Sequence, residues 1–542
     1  MHPQTTPTTP KRSGCAVVIG VLLIAVGVLF LAHNVLGVVG LPSLQFISRA
    51  LSAFGTYWPV IFIVWGVVKV LNRVFRPERS TVSAFEVLIL GTILVAGLSV
   101  SGLRRAMEEL QIHVSLDDVA GIVGPDLLGP AHRFEDVASF ELGSATTLVV
   151  TNARGRVYVR GTDEEQLSVT FIKRLHDLSE DDARRKASAV ELDFEAGPAS
   201  AHLSVSRETS SSVMTDLEVA VPRTIAVSVE NEKGSVELEG LSAPARATTT
   251  HGRIDARDLG AGIDASTSHA DIRLERIVGN ARAENRHAAI HAFGVEGDVN
   301  ASSANGSVIV ERIGGDVVIK TEHAPVEATS IAGALEIDAR YGQVSVERAQ
   351  ADVDIRTNNR PVFASDIMGT LKVTGRNSNI TIRGVGRDVF VENEYRPVLV
   401  SNVSGRTTVN ALHSYVDIVE AAGAIVIESS HQDIRVSEFG SGLEIHSSHA
   451  DLDIKASTLG GAVLLETSYG DVRVHVPDDA DATLRASTRD GEIRSDRKDY
   501  ESTESDTGEP GTSSWEHVLG SGAHDVTVTT SYGDIELEAV PR

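Results

Sequence analysis

The chain has 542 residues, 42% of them hydrophobic and only 5% aromatic, with 49 Lys/Arg against 74 Asp/Glu and a formal net charge of −25. Residues 1–105 hold nine Lys/Arg and two Asp/Glu, leaving 40 against 72, a net of −32, for residues 106–542. So acidic a body lacks the Lys/Arg footprint that phosphate binding needs, which excludes nucleic acid as a partner. The single cysteine, Cys15, excludes an internal disulfide and, preceded by Arg12-Ser13-Gly14, lacks the surroundings of a lipoprotein anchor.

The basic head comes first. After a tail of residues 1–15, predicted to be cytoplasmic, residues 16–105 form a membrane region with three apolar runs, at about 16–39, 57–71 and 87–103. A span takes roughly 20 apolar residues. The first run reaches that, the second leans on interfacial Tyr57-Trp58 and snorkelling Lys69 and Arg73, and the third is short and follows Glu86. Lys11 and Arg12 precede the first run, and Lys69, Arg73, Arg76 and Arg79 cluster between the second and third, so the positive-inside rule places those segments in the cytoplasm. Three spans then put everything after residue 105 outside the inner membrane, with the lipid bilayer as the partner of the head. His33-Asn34 at the end of the first run and Tyr57-Trp58-Pro59 at the start of the second resemble the LiaI/LiaF-type transmembrane region of bacterial envelope-stress proteins.

A juxtamembrane linker is expected at 106–139, then a first coil and α+β cap at 140–222. Within the cap, Leu167-Val169-Phe171, Val190-Leu192-Phe194, Leu203-Val205 and Leu217-Val219-Val221 alternate as strands do, and the Ser179/Asp182 spacing suits a helix N-terminus.

Residues 223–476 carry the dominant pattern. An aliphatic residue returns every 18 positions: Val236, Ile254, Ile272, Ile290, Val308, Val326, Val344, Val362, Ile380, Val398, Val416, Ile434 and Leu452. Such a period means one supersecondary unit per repeat, stacked on its neighbours. With Leu241 as position 1, apolar residues recur at positions 1, 5, 7, 14 and 16, and spacings of two predict strands at positions 4–8 and 13–17 of each coil. Position 3 is often glycine (Gly279, Gly297, Gly315, Gly333, Gly369, Gly405, Gly423, Gly461), which predicts a corner with unusual backbone angles. Calcium β-rolls need a GGxGxDxUx string that is absent, hexapeptide helices need aliphatics at 1, 7 and 13, and pectate-lyase-like helices use longer coils. The expected fold is therefore all-β: a parallel β-solenoid with 18-residue coils and a small α+β cap, preceded by three transmembrane α-helices. Residues 477–542 read as terminal coils interrupted by a mobile loop at 496–519.

The phrase Thr467-Ser468-Tyr469-Gly470-Asp471-Val472, its echo at 530–535 and the opening Leu148-Val149-Val150-Thr151-Asn152 resemble the bacterial putative-adhesin domain of unknown function, over roughly 140–540. That resemblance implies a β-solenoid and leaves activity open.

Two outward ladders are the candidate site. Position 11 reads His251, His269, His287, Asn305, His323, Tyr341, Asn359, Asn377, Tyr395, His413, His431, His449, Tyr469. Stacked about 4.8 Å apart, such rings titrate together, bridge a metal, or simply occupy turn positions with positive φ. Position 13 adds Asp433, Asp451 and Asp471, as a divalent-ion site or as solvated turn carboxylates. No nucleophile elbow, phosphate-binding loop or HExxH motif occurs, and the His446–Asp451 string that imitates a triad repeats its counterpart at 428–433. The sequence thus predicts no catalytic residues and no cofactor. It predicts a membrane-anchored, extracytoplasmic solenoid that binds an envelope or surface ligand in adhesion or envelope stress, with a self-assembling scaffold or a polysaccharide-processing enzyme as alternatives.

Overall fold

The computed structural model describes residues 131–176, 179–206, 213–496 and 511–540. The three apolar runs of the head lie outside the described residues, among which no helix is long and apolar enough to cross a membrane.

Every coil contributes one strand to each of two parallel sheets. In sheet 1 the strands Ile254–Leu259, Ile272–Ile277 and Ile290–Val295 pair Ile254↔Ile272↔Ile290; in sheet 2 Ile263–Thr267, Ala281–Asn285 and Val299–Ser303 pair Ile263↔Ala281↔Val299. The register advances by 18 residues per coil as far as Ile434↔Leu452, then by 20 where Leu443 pairs Val463, absorbing the insertion at Ser457-Thr458. All thirteen landmark aliphatics are buried. The strands occupy positions 5–9 and 14 to the next position 1, slightly later than the alternation predicts, because two further inward residues belong to them: a polar one at position 9 and an apolar one at position 1.

Between positions 17 and 1 the chain turns through a left-handed residue at position 18. Asp258, Arg276, Arg312, Ser330, Arg348, Asp366, Asn402, Glu420 and Glu438 all have φ between 55° and 59°, and Gly294 and Gly384 take the same place. The glycines at position 3 do something else, and the expectation of unusual angles there is corrected: none has positive φ. They permit close stacking. A Cβ on Gly315 would lie 2.6 Å from the carbonyl carbon of Gly297 in the coil below and 2.4 Å from Asp298 Oδ1.

Both ends are interleaved. At the N-terminal end the coil of Thr147–Arg154 and Val157–Thr162 lies between the strands Ser200–Val205 and Val213–Pro222, which follow it in sequence, and the coil at 226–239. Antiparallel strands then close each sheet: Leu192–Ala196 on sheet 2, and Leu167–His176 followed by Ala131–Phe140 on sheet 1. The last of these occupies the end of the segment expected to be linker. The helix Glu180–Ser188 buries Ala183 and Ala187, and the Ser179 side chain accepts from the Asp182 N–H, as the sequence spacing predicts.

At the C-terminal end the chain skips a level. Strands Ala482–Thr488 and Ile493–Ser495 lie beyond Ile535–Val540 and His524–Thr530, which slot back between them and the coil at 463–477. The coil that is last in sequence is therefore not last in space. The loop expected at 496–519 is also shorter: Ser513–Leu519 is a strand, antiparallel to Ala482–Thr488, and the rest of that segment from 497 to 510 lies outside the described residues. Unpaired strand edges invite association with other chains; reversed strands end the parallel register of both sheets at the N-terminal end and of sheet 2 at the C-terminal end, where sheet 1 ends on the short parallel strand Ile493–Ser495.

Candidate functional site: the ladders of the two corners

Three of the ladders at the corners are consumed by holding the coils together. At position 9 buried polar side chains point inward: Thr267 Oγ1 donates to the Gly252 carbonyl at 3.0 Å, Asn285 Nδ2 to Ala270 at 2.9 Å, Asn393 Nδ2 to Ser378 at 2.9 Å and Thr467 Oγ1 to Ala450 at 3.2 Å. Each satisfies a corner carbonyl of the preceding coil that the strand ladder does not reach, which is what a buried backbone acceptor requires. This ladder was missed in the sequence, although Thr249, Thr267, Asn285, Ser303 and Thr321 announce it at the 18-residue period.

Position 4 carries the second. Asn280, Asp298, Asp316, Asp352 and Asp388 each accept, through Oδ1, the backbone N–H of the same position one coil on, at 2.8–2.9 Å. The candidate carboxylates at position 13 follow the same rule. Asp451 accepts the Asp471 N–H at 2.9 Å and Asp471 accepts the Asp534 N–H at 2.8 Å, while Asp433 is exposed. Stacked carboxylates are tolerable here because backbone donors relieve them.

Position 11 does form a stack. Ring centroids lie 4.6 Å apart for His251–His269 and 5.1 Å for His269–His287. A longer run joins Tyr395, His413, His431, His449, Tyr469 and Tyr532 at 4.4–5.5 Å. Tyr532 was not assigned to this ladder from the sequence, because it reaches its level only through the C-terminal interleaving. Asn305 and His287 meet side by side at 3.3 Å, and Asn377 Nδ2 donates to Asn359 Oδ1 at 3.0 Å. The expected positive φ holds for Asn359, Asn377, Tyr395 and His413 but not for His251, His269, His287, His431 or His449. Those five stand as rings stacked on rings.

The stack biases protonation. Loss of solvation, then the neighbouring His413 and His449, holds the His431 imidazole below its ordinary range. His446, on the outer face of sheet 2, goes the other way, raised chiefly by its hydrogen bond to Glu444 and then by Glu466, each at 2.9 Å. Among the described residues no group of three or more His, Cys, Asp or Glu is placed to hold a metal ion. A groove of about 480 Å³ crosses sheet 2, lined by Ser266, Glu284, Ser302, Lys320 and Asp338, one from each of five successive coils. Its groups form a line along the axis and do not converge on a point.

Residues 18–107 match the model of the LiaF transmembrane domain, and residues 145–538 match that of Toastrack DUF4097. Among solved structures, the chain is similar to one described as a putative cell adhesion protein from Clostridium sporogenes, at 8% identity and a TM-score of 0.14, covering 76% of this chain and 100% of that one. It is also similar to one described as a putative adhesin from Bacteroides fragilis, at 11% identity and a TM-score of 0.16, covering 60% of this chain and 97% of that one. No curated protein matches it. With a solenoid built from 145 to 538 under one family model, the chain belongs to the Toastrack DUF4097 family.

Proposed function

We propose that this protein is anchored in the inner membrane by its N-terminal region and holds the solenoid outside the cytoplasm as a non-enzymatic binding module of the cell envelope, in adhesion or envelope stress. The observation that carries this reading is the pairing in one chain of a LiaF-type transmembrane match at 18–107 with a Toastrack solenoid at 145–538. The charge distribution supports it, since the positive-inside rule places Lys11, Arg12 and the 69–79 cluster in the cytoplasm and the acidic body across the membrane. The corners support binding over catalysis: Asp451 and Asp471 each commit one carboxylate oxygen and Thr267 its hydroxyl to the backbone of a neighbouring coil, and the groove on sheet 2 is linear. End-to-end assembly is disfavoured by the antiparallel strands that close three of the four sheet ends.

The single cysteine makes a direct test available. With Cys15 replaced by Ser and Ser457, an exposed corner residue, replaced by Cys, a membrane-impermeant maleimide should label the chain in intact cells. Labelling only after lysis would place the solenoid inside and refute the topology.

A further inference from the structure

The corner that leads from sheet 2 to sheet 1 reverses its charge along the solenoid. In four successive coils one exposed arginine flanks position 11: Arg340 beside Tyr341, Arg360 beside Asn359, Arg376 beside Asn377 and Arg396 beside Tyr395; Glu394, on the other side of Tyr395, is the one acidic residue at positions 10–13 of these coils and pairs with Arg376. The next coil brings His413 and no charge at positions 10–13. The four levels after it present Asp433, Asp451, Asp471 and Asp534, the last brought into line by the C-terminal interleaving.

Two of these arginines are held along the corner, and each stripe keeps charge that no ion pair with a described residue takes up. Arg360 Nε donates to the Tyr341 carbonyl at 3.2 Å and Arg396 Nε to Asn377 Oδ1 at 3.1 Å, which pins each guanidinium along the corner with its terminal amino groups free of those bonds. Arg376 is 3.0 Å from Glu394, whereas Arg340, Arg360 and Arg396 make no ion pair with a described residue. On the acidic side Asp451 and Asp471 commit Oδ1 to backbone N–H groups. Asp534 is the most committed, its Oδ1 accepting the Glu492 N–H at 2.9 Å and its Oδ2 lying 3.4 Å from Arg494, whereas Asp433, Asp451 and Asp471 have no ion pair with a described residue.

The spacing carries the argument. Counted from the His413 coil, Arg396 and Asp433 are one level away on opposite sides, Arg376 and Asp451 two, Arg360 and Asp471 three, Arg340 and Asp534 four. We propose that this corner is a self-recognition surface, on which two copies pair antiparallel about a two-fold axis at the level of His413. Each arginine stripe then meets the other copy's aspartate stripe in register, because both repeat at the same rise of about 4.8 Å. An anionic polymer would account for the arginines but not for an aspartate stripe at matched distances. Exposed ion pairs are individually weak and screened by salt, so the contact is reversible and depends on the whole row. The pairing puts the N-terminal ends of the two solenoids at opposite ends of the pair.

Sedimentation of the full chain in detergent tests this, and because it reads only the solenoid surface its failure leaves the anchoring proposal untouched. A dimer at about 50 mM salt should dissociate at about 500 mM. Arg396→Asp and Asp433→Arg should each weaken it by about tenfold, since each reversal acts twice across the axis. Mixing the two variants should restore the wild-type affinity, because every reversed charge then faces its opposite. If reversal disturbs folding, Arg396→Gln and Asp433→Asn should each weaken the dimer by a smaller factor, and mixing them should recover half of the loss, because the mixed pair keeps one of the two Arg396–Asp433 contacts. A chain that stays monomeric at low salt, or a mixture that associates no better than either variant alone, overturns the proposal. A dimer indifferent to all four substitutions does so too.

Discussion

Between residues 245 and 301 six of the eight inward apolar positions of sheet 2 are alanine (Ala245, Ala247, Ala265, Ala281, Ala283 and Ala301, with Ile263 and Val299 the exceptions), whereas from Val317 to Leu465 they hold Val, Ile or Leu at every place but Thr407. The pairing does not change across that boundary: Ala283↔Ala301↔Ile319 continue in one register. Coil stacking is therefore set by backbone hydrogen bonds and the corner ladders, and core volume is free to vary on top of it. The two regions share geometry and differ in apolar area, at about 0.8 kcal/mol per buried CH₂. In a solenoid, where each coil touches only its neighbours, that difference stays local.

The largest effect should come from the aliphatic region. Ile337→Ala, at a fully buried site, should cost about 2–5 kcal/mol. Ala265→Gly in the early region should cost about 1 kcal/mol, and denaturant midpoints that move equally would break the comparison. Next in size is the inward polar ladder. Thr530→Val removes the hydrogen bonds that its Oγ1 donates to the Gly470 carbonyl and accepts from the Gly533 N–H, and should cost about 1–2 kcal/mol. Thr357 Oγ1 is buried without a partner among the described residues, so Thr357→Val should be neutral or raise the melting temperature. Amide exchange should be faster in Ala245–Thr249 to Val299–Ser303 than in Val317–Thr321 to Leu371–Arg376; uniform protection would contradict a locally thinner core.

The smallest effects concern pH, and two neighbouring histidines should oppose each other. His446 is raised, so its contribution is fully present below the ordinary imidazole value of 6.5 and is lost as pH rises through the raised one. His431 is lowered, so stability falls as pH drops below 6.5 and through its depressed value. An imidazole titration by NMR should find His446 protonating at higher pH than His431, and His431→Asn should flatten the acid side of the melting curve. Asp481 adds a carboxylate case: held low first by the Ala523 N–H and then by the Ser521 hydroxyl, it should lose its contribution as pH falls through that depressed value, and Asp481→Asn should remove this part of the profile.

Legibility in the sequence followed periodicity. Val236 through Leu452 could be placed because burial on alternate strand faces repeats with the coil, and Ser179 because a helix cap is a local contact. His251 and Asp451 could be found but not interpreted, since ring stacking and backbone capping depend on what lies one coil away. The position-3 glycines were misread for the same reason: close approach of a neighbouring coil and a left-handed φ both select glycine, and composition does not separate them.

By itself the sequence determined the coil length, the inward residues, the cap helix and the split between a basic apolar head and an acidic body, because each is written in local spacing or in totals. Only the tertiary structure decided the interleaving at both ends, the strand Ser513–Leu519 in place of part of a loop, and the level at which Tyr532 and Asp534 join their ladders. The reason is physical: a strand's neighbours are chosen by whichever edge is free to pair, and at the ends of this solenoid that edge belongs to a coil remote in sequence.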